Sequence, residues 1–270
     1  MGRIARGISL VRASFTLLRH DPGLLWLPIA SVACILAFAG LIFWPALVVG
    51  LSNTSKVELY VLLAVLYFVA SFIIIFFNAA MIAAATDRLA GGPGAIRQGL
   101  GVAWSRGGQL LAWALLSATV GVIVRVVESR MGLAAIFARL LGAAWAVMTF
   151  FVVPVLVFEG VGPIEAMKRS GGLFRQRWGE QLVGNGAIGI LMFIAFGLCA
   201  IVAFLLGAVA LPLGVAFAVL AFALLVTVGS AVTAIFNAAL YRYAVSGNVS
   251  APFNDEDFSG AFRQRRGTWA

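Results

Sequence analysis

The sequence predicts an all-α fold, a polytopic transmembrane helix bundle of six spans with amphipathic helices on its cytoplasmic surface. Three observations lead there. The 270 residues are 63% hydrophobic and 11% charged, against about 45–50% and about 25% in soluble domains. Six stretches reach the roughly 20 apolar residues that cross a hydrocarbon core of about 30 Å. Between those stretches the basic residues fall mostly on one side, as cytoplasmic loops of membrane proteins do.

A mean hydropathy of +1.06 is too high for one oversized soluble core, because a soluble chain must cover itself with polar groups. The spans run approximately over residues 24–49, 59–85, 108–127, 133–158, 182–209 and 211–244. Only the border between the last two lacks a charge. There Ala210-Leu211-Pro212-Leu213-Gly214 offers a tight Pro/Gly turn, and the alternative is one broken helix and five spans. Charge decides between them. With six spans, Lys56, Arg125, Arg130 and Arg139 lie outside, and the other 15 of the 19 basic residues lie inside. Five spans would move Arg263, Arg265 and Arg266 to the wrong side. Both termini are therefore expected in the cytoplasm.

The net charge of +9 would point to nucleic acid in a soluble protein. Here the loops hold it, so no nucleic-acid partner is expected. The start, Met1-Gly2-Arg3-Ile4-Ala5-Arg6, has Arg where myristoylation needs Ser or Thr. The first apolar run is too long for a signal-peptide core and reads as a retained span. Cys34 and Cys199 sit inside apolar stretches without metal or redox spacing, and are expected to be small buried hydrophobes.

Three segments outside the spans have helical periodicity. In residues 3–20, Ile4, Ile8, Val11, Phe15 and Leu18 form a narrow apolar stripe edged by Arg12 and Arg19. In residues 163–178, Ile164, Met167, Phe174 and Trp178 oppose Lys168, Arg169, Arg175 and Arg177. Residues 95–106 are a weaker version, diluted by Gly99 and Gly101. Such helices lie in the headgroup plane with their cations towards anionic lipid, or pack as elbows against the bundle. Arg12, Arg19, Lys168, Arg169, Arg175 and Arg177 are the candidate anionic-lipid contacts.

The chain reads as one membrane domain, residues 1–270, with a tail over 246–270. Within it a threefold repeat of surface helix plus transmembrane hairpin is expected at residues 3–86, 94–160 and 163–245. Phe77-Asn78-Ala79-Ala80 recurs as Phe236-Asn237-Ala238-Ala239, and Pro93 and Pro252 each follow the asparagine by 15 residues. Gly108-Gln109-Leu110 resembles Glu180-Gln181-Leu182.

The run from Thr149 through Phe150-Phe151-Val152-Val153-Pro154 to Phe158-Glu159-Gly160 is distinctive, and so is Ala166-Met167-Lys168-Arg169-Ser170. With Trp178-Gly179-Glu180-Gln181-Leu182 and Ala238-Ala239-Leu240-Tyr241-Arg242-Tyr243-Ala244, these resemble a bacterial integral-membrane family catalogued only as a domain of unknown function. The likeness covers nearly the whole chain. More distantly, the layout is similar to the membrane domain attached to some glycerophosphodiester phosphodiesterases. The resemblance implies a bacterial cytoplasmic membrane and supplies no activity.

Polar groups inside a bilayer are functional candidates, which singles out Asn78, Asn237 and Asn185. They line a cavity, or they are interhelical hydrogen-bond glue worth about 0.6 kcal/mol on average. Glu159, Glu165 and Glu180 surround the basic segment 163–178, and neutralising it is their expected role. His20, in Arg19-His20-Asp21-Pro22-Gly23, belongs to an ordinary turn. Gly91-Gly92-Pro93-Gly94 lacks the Lys and Ser/Thr of a phosphate loop and reads as a hinge. No catalytic motif, metal site or cofactor is expected. Small residues four apart, Ala79/Ala83, Ala80/Ala84 and Ser117/Gly121, allow close helix approach. The leading expectation is a non-enzymatic protein that organises anionic lipid, a membrane-protein partner or a second copy of itself. A transporter or channel component comes next, and a lipid-modifying enzyme third.

Overall fold

The computed structural model describes the backbone of residues 3–49, 55–129, 133–246 and 253, and the side chains of 9–44, 55–129, 136–174, 186–245 and 253. Every regular element among them is helical. In order they are α1 (Arg3–His20), a 3-10 turn (Pro22–Leu25), α2 (Trp26–Val49), α3 (Lys56–Leu89), α4 (Ile96–Ser105), α5 (Gly107–Glu128), α6 (Leu133–Thr149), α7 (Val152–Glu159), α8 (Pro163–Val209) and α9 (Leu211–Ser246). Six stretches are long and apolar enough to cross a membrane: Pro22–Trp44, Lys56–Leu89, Gly107–Glu128, Ile136–Glu159, Gly186–Val209 and Leu211–Val245. Their outer faces suit no other solvent. Phe193 and Phe204 of α8 are 80% and 76% exposed, and water tolerates few such surfaces.

The helices form two compact units. The first comprises Met1–Leu25, Ala85–Gly94 and Arg175–Ala270, the second Trp26–Ala84 and Ala95–Phe174. In the first unit α1 packs on α9, burying Leu10, Val11, Ala13, Ser14, Leu17 and Leu18. Over residues 9–20 the stripe read from the sequence is thus rotated; the side chains of Ile4 and Ile8 lie outside the described residues. Val11 and Leu18 belong to the buried face, whereas Phe15 is 43% exposed beside Arg12 and Arg19. Asp21-Pro22 stops α1, because proline cannot continue its hydrogen-bond ladder.

The reversal between α8 and α9 is tight, with Ala210 alone between the helices. A Cβ on Gly214 would lie 2.5 Å from the Gly207 Cα. Residues seven apart in a continuous helix are about 10.5 Å apart along the axis. The chain therefore doubles back, and the single broken helix is excluded.

In the second unit, α5 and α6 pair through stacked Trp113 and Trp145, their rings 5.8 Å apart and 17° from parallel. The fourth span is split into α6 and α7 at Phe150-Phe151. Pro154 has no N–H for the Phe150 carbonyl, and its ring crowds that carbonyl. The break also diverts the Phe151 N–H, which donates to Ser170 Oγ at 2.9 Å. Ala166 and Ser170, one turn apart on α8, are both fully buried, while Ile164 is 63% exposed. Of the expected stripe, Ile164 faces outward and Met167 and Phe174 are half-buried, so the small residues are the most buried face among the described residues, and the side chain of Trp178 lies outside them.

Two further expectations change. The surface helix over residues 163–178 and the fifth span are not separate elements, since α8 is one helix of 47 residues. Gly179 and its neighbours weaken a helix, but nothing there stops one as Asp21-Pro22 does. Cys34 is exposed and Cys199 half-exposed, each on the outer face of a span, where lipid accepts an apolar thiol as readily as a core does.

Candidate functional site

Polar side chains gather at the ends of the spans. In the second unit, Gly160 ends α7 in the left-handed conformation (φ 65°) that glycine adopts without strain. The Arg106 guanidinium, from the junction of α4 and α5, lies where a Gly160 Cβ would project. A cation there complements the negative end of the α7 dipole. On the other side Arg169 bridges two carboxylates. Its Nε donates to Glu165 Oε1 at 3.1 Å, and its Nη1 donates to Glu159 Oε2. The hydrogen bond it donates to Glu165, then the one to Glu159, raises the Arg169 pKa above its ordinary value. Of the three glutamates expected to neutralise this segment, Glu159 and Glu165 contact Arg169, which stays about half exposed, and the side chain of Glu180 lies outside the described residues.

In the first unit, the end of α3 meets the turn after α1. Arg88 Nε pairs with Asp21 Oδ2 at 2.5 Å, and Arg242 Nη1 of α9 donates to the Thr86 carbonyl at 3.2 Å. Asp87 orders the glycine-rich loop: its backbone carbonyl accepts the Gly92 N–H at 2.9 Å, and its carboxylate accepts the Gly94 N–H at 2.9 Å. Gly91 and Gly94 have positive φ (86° and 61°), so the hinge is a specified turn. Asp21 is tied to Arg88, and His20 Nδ1 lies 2.8 Å from the Thr16 carbonyl. Neither is arranged as a relay. Sequence reasoning missed the Asp21–Arg88 pair, although each residue stands beside a Pro/Gly turn.

The candidate residues fare differently. Arg12, Arg19 and Lys168 are exposed and take part in no ion pair among the described residues. Arg97 of α4, not singled out by the sequence, is in the same state. The side chains of Arg175, Arg177 and Asn185 lie outside the described residues. Asn78 and Asn237 fall in different units and are both half-buried. Among the described residues, Asn237 Oδ1 is buried without a hydrogen-bond partner, as is Thr86 Oγ1 in the same unit. Hydroxyls inside the spans mostly bond their own helix: Ser71 to Tyr67, Thr119 to Leu115 and Thr233 to Gly229, each to the carbonyl one turn back. Among the described residues, no group of three His, Cys, Asp or Glu side chains could hold a metal ion.

Six apolar spans, polar clusters at their ends and basic helices outside them define a multi-pass α-helical membrane protein. Residues 57–251 match the family of unknown function DUF6159, and the chain belongs to that family. No curated protein and no solved structure matches it.

Proposed function

We propose that this protein is a non-enzymatic organiser of anionic lipid, or of a membrane-protein partner, in a bacterial cytoplasmic membrane, with both termini inside. One observation carries the reading. The helical segments outside the spans each present an exposed cation beside a bulky exposed apolar residue: Arg12 and Arg19 with Phe15, Arg97 with Trp104, and Lys168 with Ile164. That pairing suits the boundary between phosphate headgroups and acyl chains. Each such cation contributes about 1 kcal/mol near an anionic surface.

The test reverses charge at Arg12, Arg19 and Lys168 together, all to Glu. Arg169 is left intact because its two glutamates already hold it. Anionic phospholipid co-purifying with the protein should fall while membrane insertion and yield persist. Unchanged anionic lipid would refute the reading. Asn237 Oδ1 and Thr86 Oγ1, buried and without a hydrogen-bond partner among the described residues, favour a second reading, a transporter or channel component, since polar atoms left open inside a bundle suit a wet path.

A further inference from the structure

We infer that the second unit retains one phospholipid, its acyl chain in a groove between α3, α4 and α5 and its phosphate towards Arg97. This rests on the lipid reading above and narrows it to one place. The groove is lined by Phe72, Phe76, Trp104, Gly107, Gly108 and Leu111, encloses about 450 Å³ and is almost wholly apolar. Its size is in the range of small-molecule sites.

Three features select an acyl chain. Phe72 and Phe76 lie on one span-forming helix and Leu111 on another, so the walls belong to segments whose outer solvent is hydrocarbon. Phe72 and Phe76 follow one another along α3, ring centroids 6.0 Å apart, so this wall of the groove runs along the helix. Trp104 forms the remaining wall, edge-on to Phe76 at 6.2 Å and 89°, and is itself 79% exposed. Tryptophan favours the headgroup level, so the groove opens at that level and runs inward.

Missing side chains make the space. Gly107 and Gly108 occupy the first turn of α5, and a Cβ on either would meet nothing within 4 Å. No close backbone approach requires glycine there, and two in succession weaken a helix start. What they do provide is room. The cation comes from α4. Arg97 precedes Trp104 by seven residues, two turns along one face, and is exposed without an ion-pair partner among the described residues. A phosphodiester above an acyl chain matches that order of apolar groove, Trp and Arg.

The experiment uses the full chain, delipidated in mild detergent and titrated with phosphatidylglycerol under native mass spectrometry. Wild type should bind one lipid in preference to further ones. Gly108→Leu should fill the groove, and leucine strengthens the helix at that position. Excluding two methylenes lowers affinity about tenfold. Trp104→Ala, at an exposed site, should weaken binding too by removing a wall. Arg97→Gln should erase the preference for phosphatidylglycerol over phosphatidylcholine. Undiminished one-to-one binding in Gly108→Leu overturns the inference, and so does equal binding of a free fatty acid. The two readings fail separately. If Gly108→Leu loses its lipid while the Arg12, Arg19 and Lys168 reversal changes nothing, the groove stands and the surface reading falls. If only the reversal strips lipid, the groove falls.

Discussion

Helices α1 and α4 read alike in sequence, as basic helices outside the spans, yet they are held in opposite ways. In the first unit α1 spreads a broad apolar face over α9, with Leu10 1%, Leu17 7% and Leu18 5% exposed. In the second, α4 is held by the absence of a side chain. A Cβ on Gly99 would collide with the Ala80 carbonyl oxygen and sit 3.0 Å from the Ala84 Cβ. Ala80 and Ala84, fully or almost fully buried, form the small-residue stripe that receives it. Apolar area that can yield holds one helix, and backbone contact that cannot holds the other. The glycine that weakens the α4 periodicity in the sequence is its point of attachment.

The largest effect that would sharpen this contrast is at Gly99. Gly99→Leu must separate α4 from α3, because a backbone oxygen cannot turn aside, and folded protein should be lost in size-exclusion chromatography. Gly101→Ala, two residues on in open space, should instead be neutral or stabilising by about 0.4–1 kcal/mol. Similar behaviour of the two variants would break the comparison. Next comes Leu10→Ala on α1, expected to cost about 2–5 kcal/mol as a lowered melting temperature in detergent. A yielding apolar face should lose stability without losing the fold.

Smaller effects fall on the polar groups. Asp21→Asn removes a partly exposed ion pair with Arg88 (27% and 37% exposed), worth about 0.2–1 kcal/mol. Its unfolding midpoint should shift little and should become less sensitive to salt. Asn237→Leu is the smallest. Its buried Oδ1 has no partner among the described residues, so replacing the amide with an apolar group should be nearly neutral or stabilising. A clear destabilisation would show that the asparagine bonds something the packing alone does not reveal.

The sequence revealed the spans because length and apolarity are summed over roughly 20 residues, and the α8–α9 reversal because charge placement requires it. The Arg169–Glu165 pair was also within reach, four residues apart on one helix. Other features were not, for physical reasons. A single Gly99 looks the same whether it weakens a helix or admits a neighbour's backbone. The buried face of α1 depends on where α9 lies, so Phe15 and Leu10 cannot be ranked by period alone. The continuity of α8 depends on a stop signal being absent from Gly179-Glu180-Gln181, a weaker cue than a proline present at Pro22. The groove arises from two missing side chains on α5 facing rings on α3, a coincidence only the assembled helices produce.

The proposal as a whole depends on which side of the membrane the basic residues occupy, and topology mapping measures that directly. Reporter fusions at residue 1, after Ser129 and at residue 270 compare alkaline phosphatase, active only outside, with a fluorescent protein that matures inside. Both ends should fluoresce, and phosphatase should be active after Ser129, between the third and fourth spans. Phosphatase activity at either terminus would contradict it, because Arg12, Arg19 and Lys168 could not then all face the anionic inner surface.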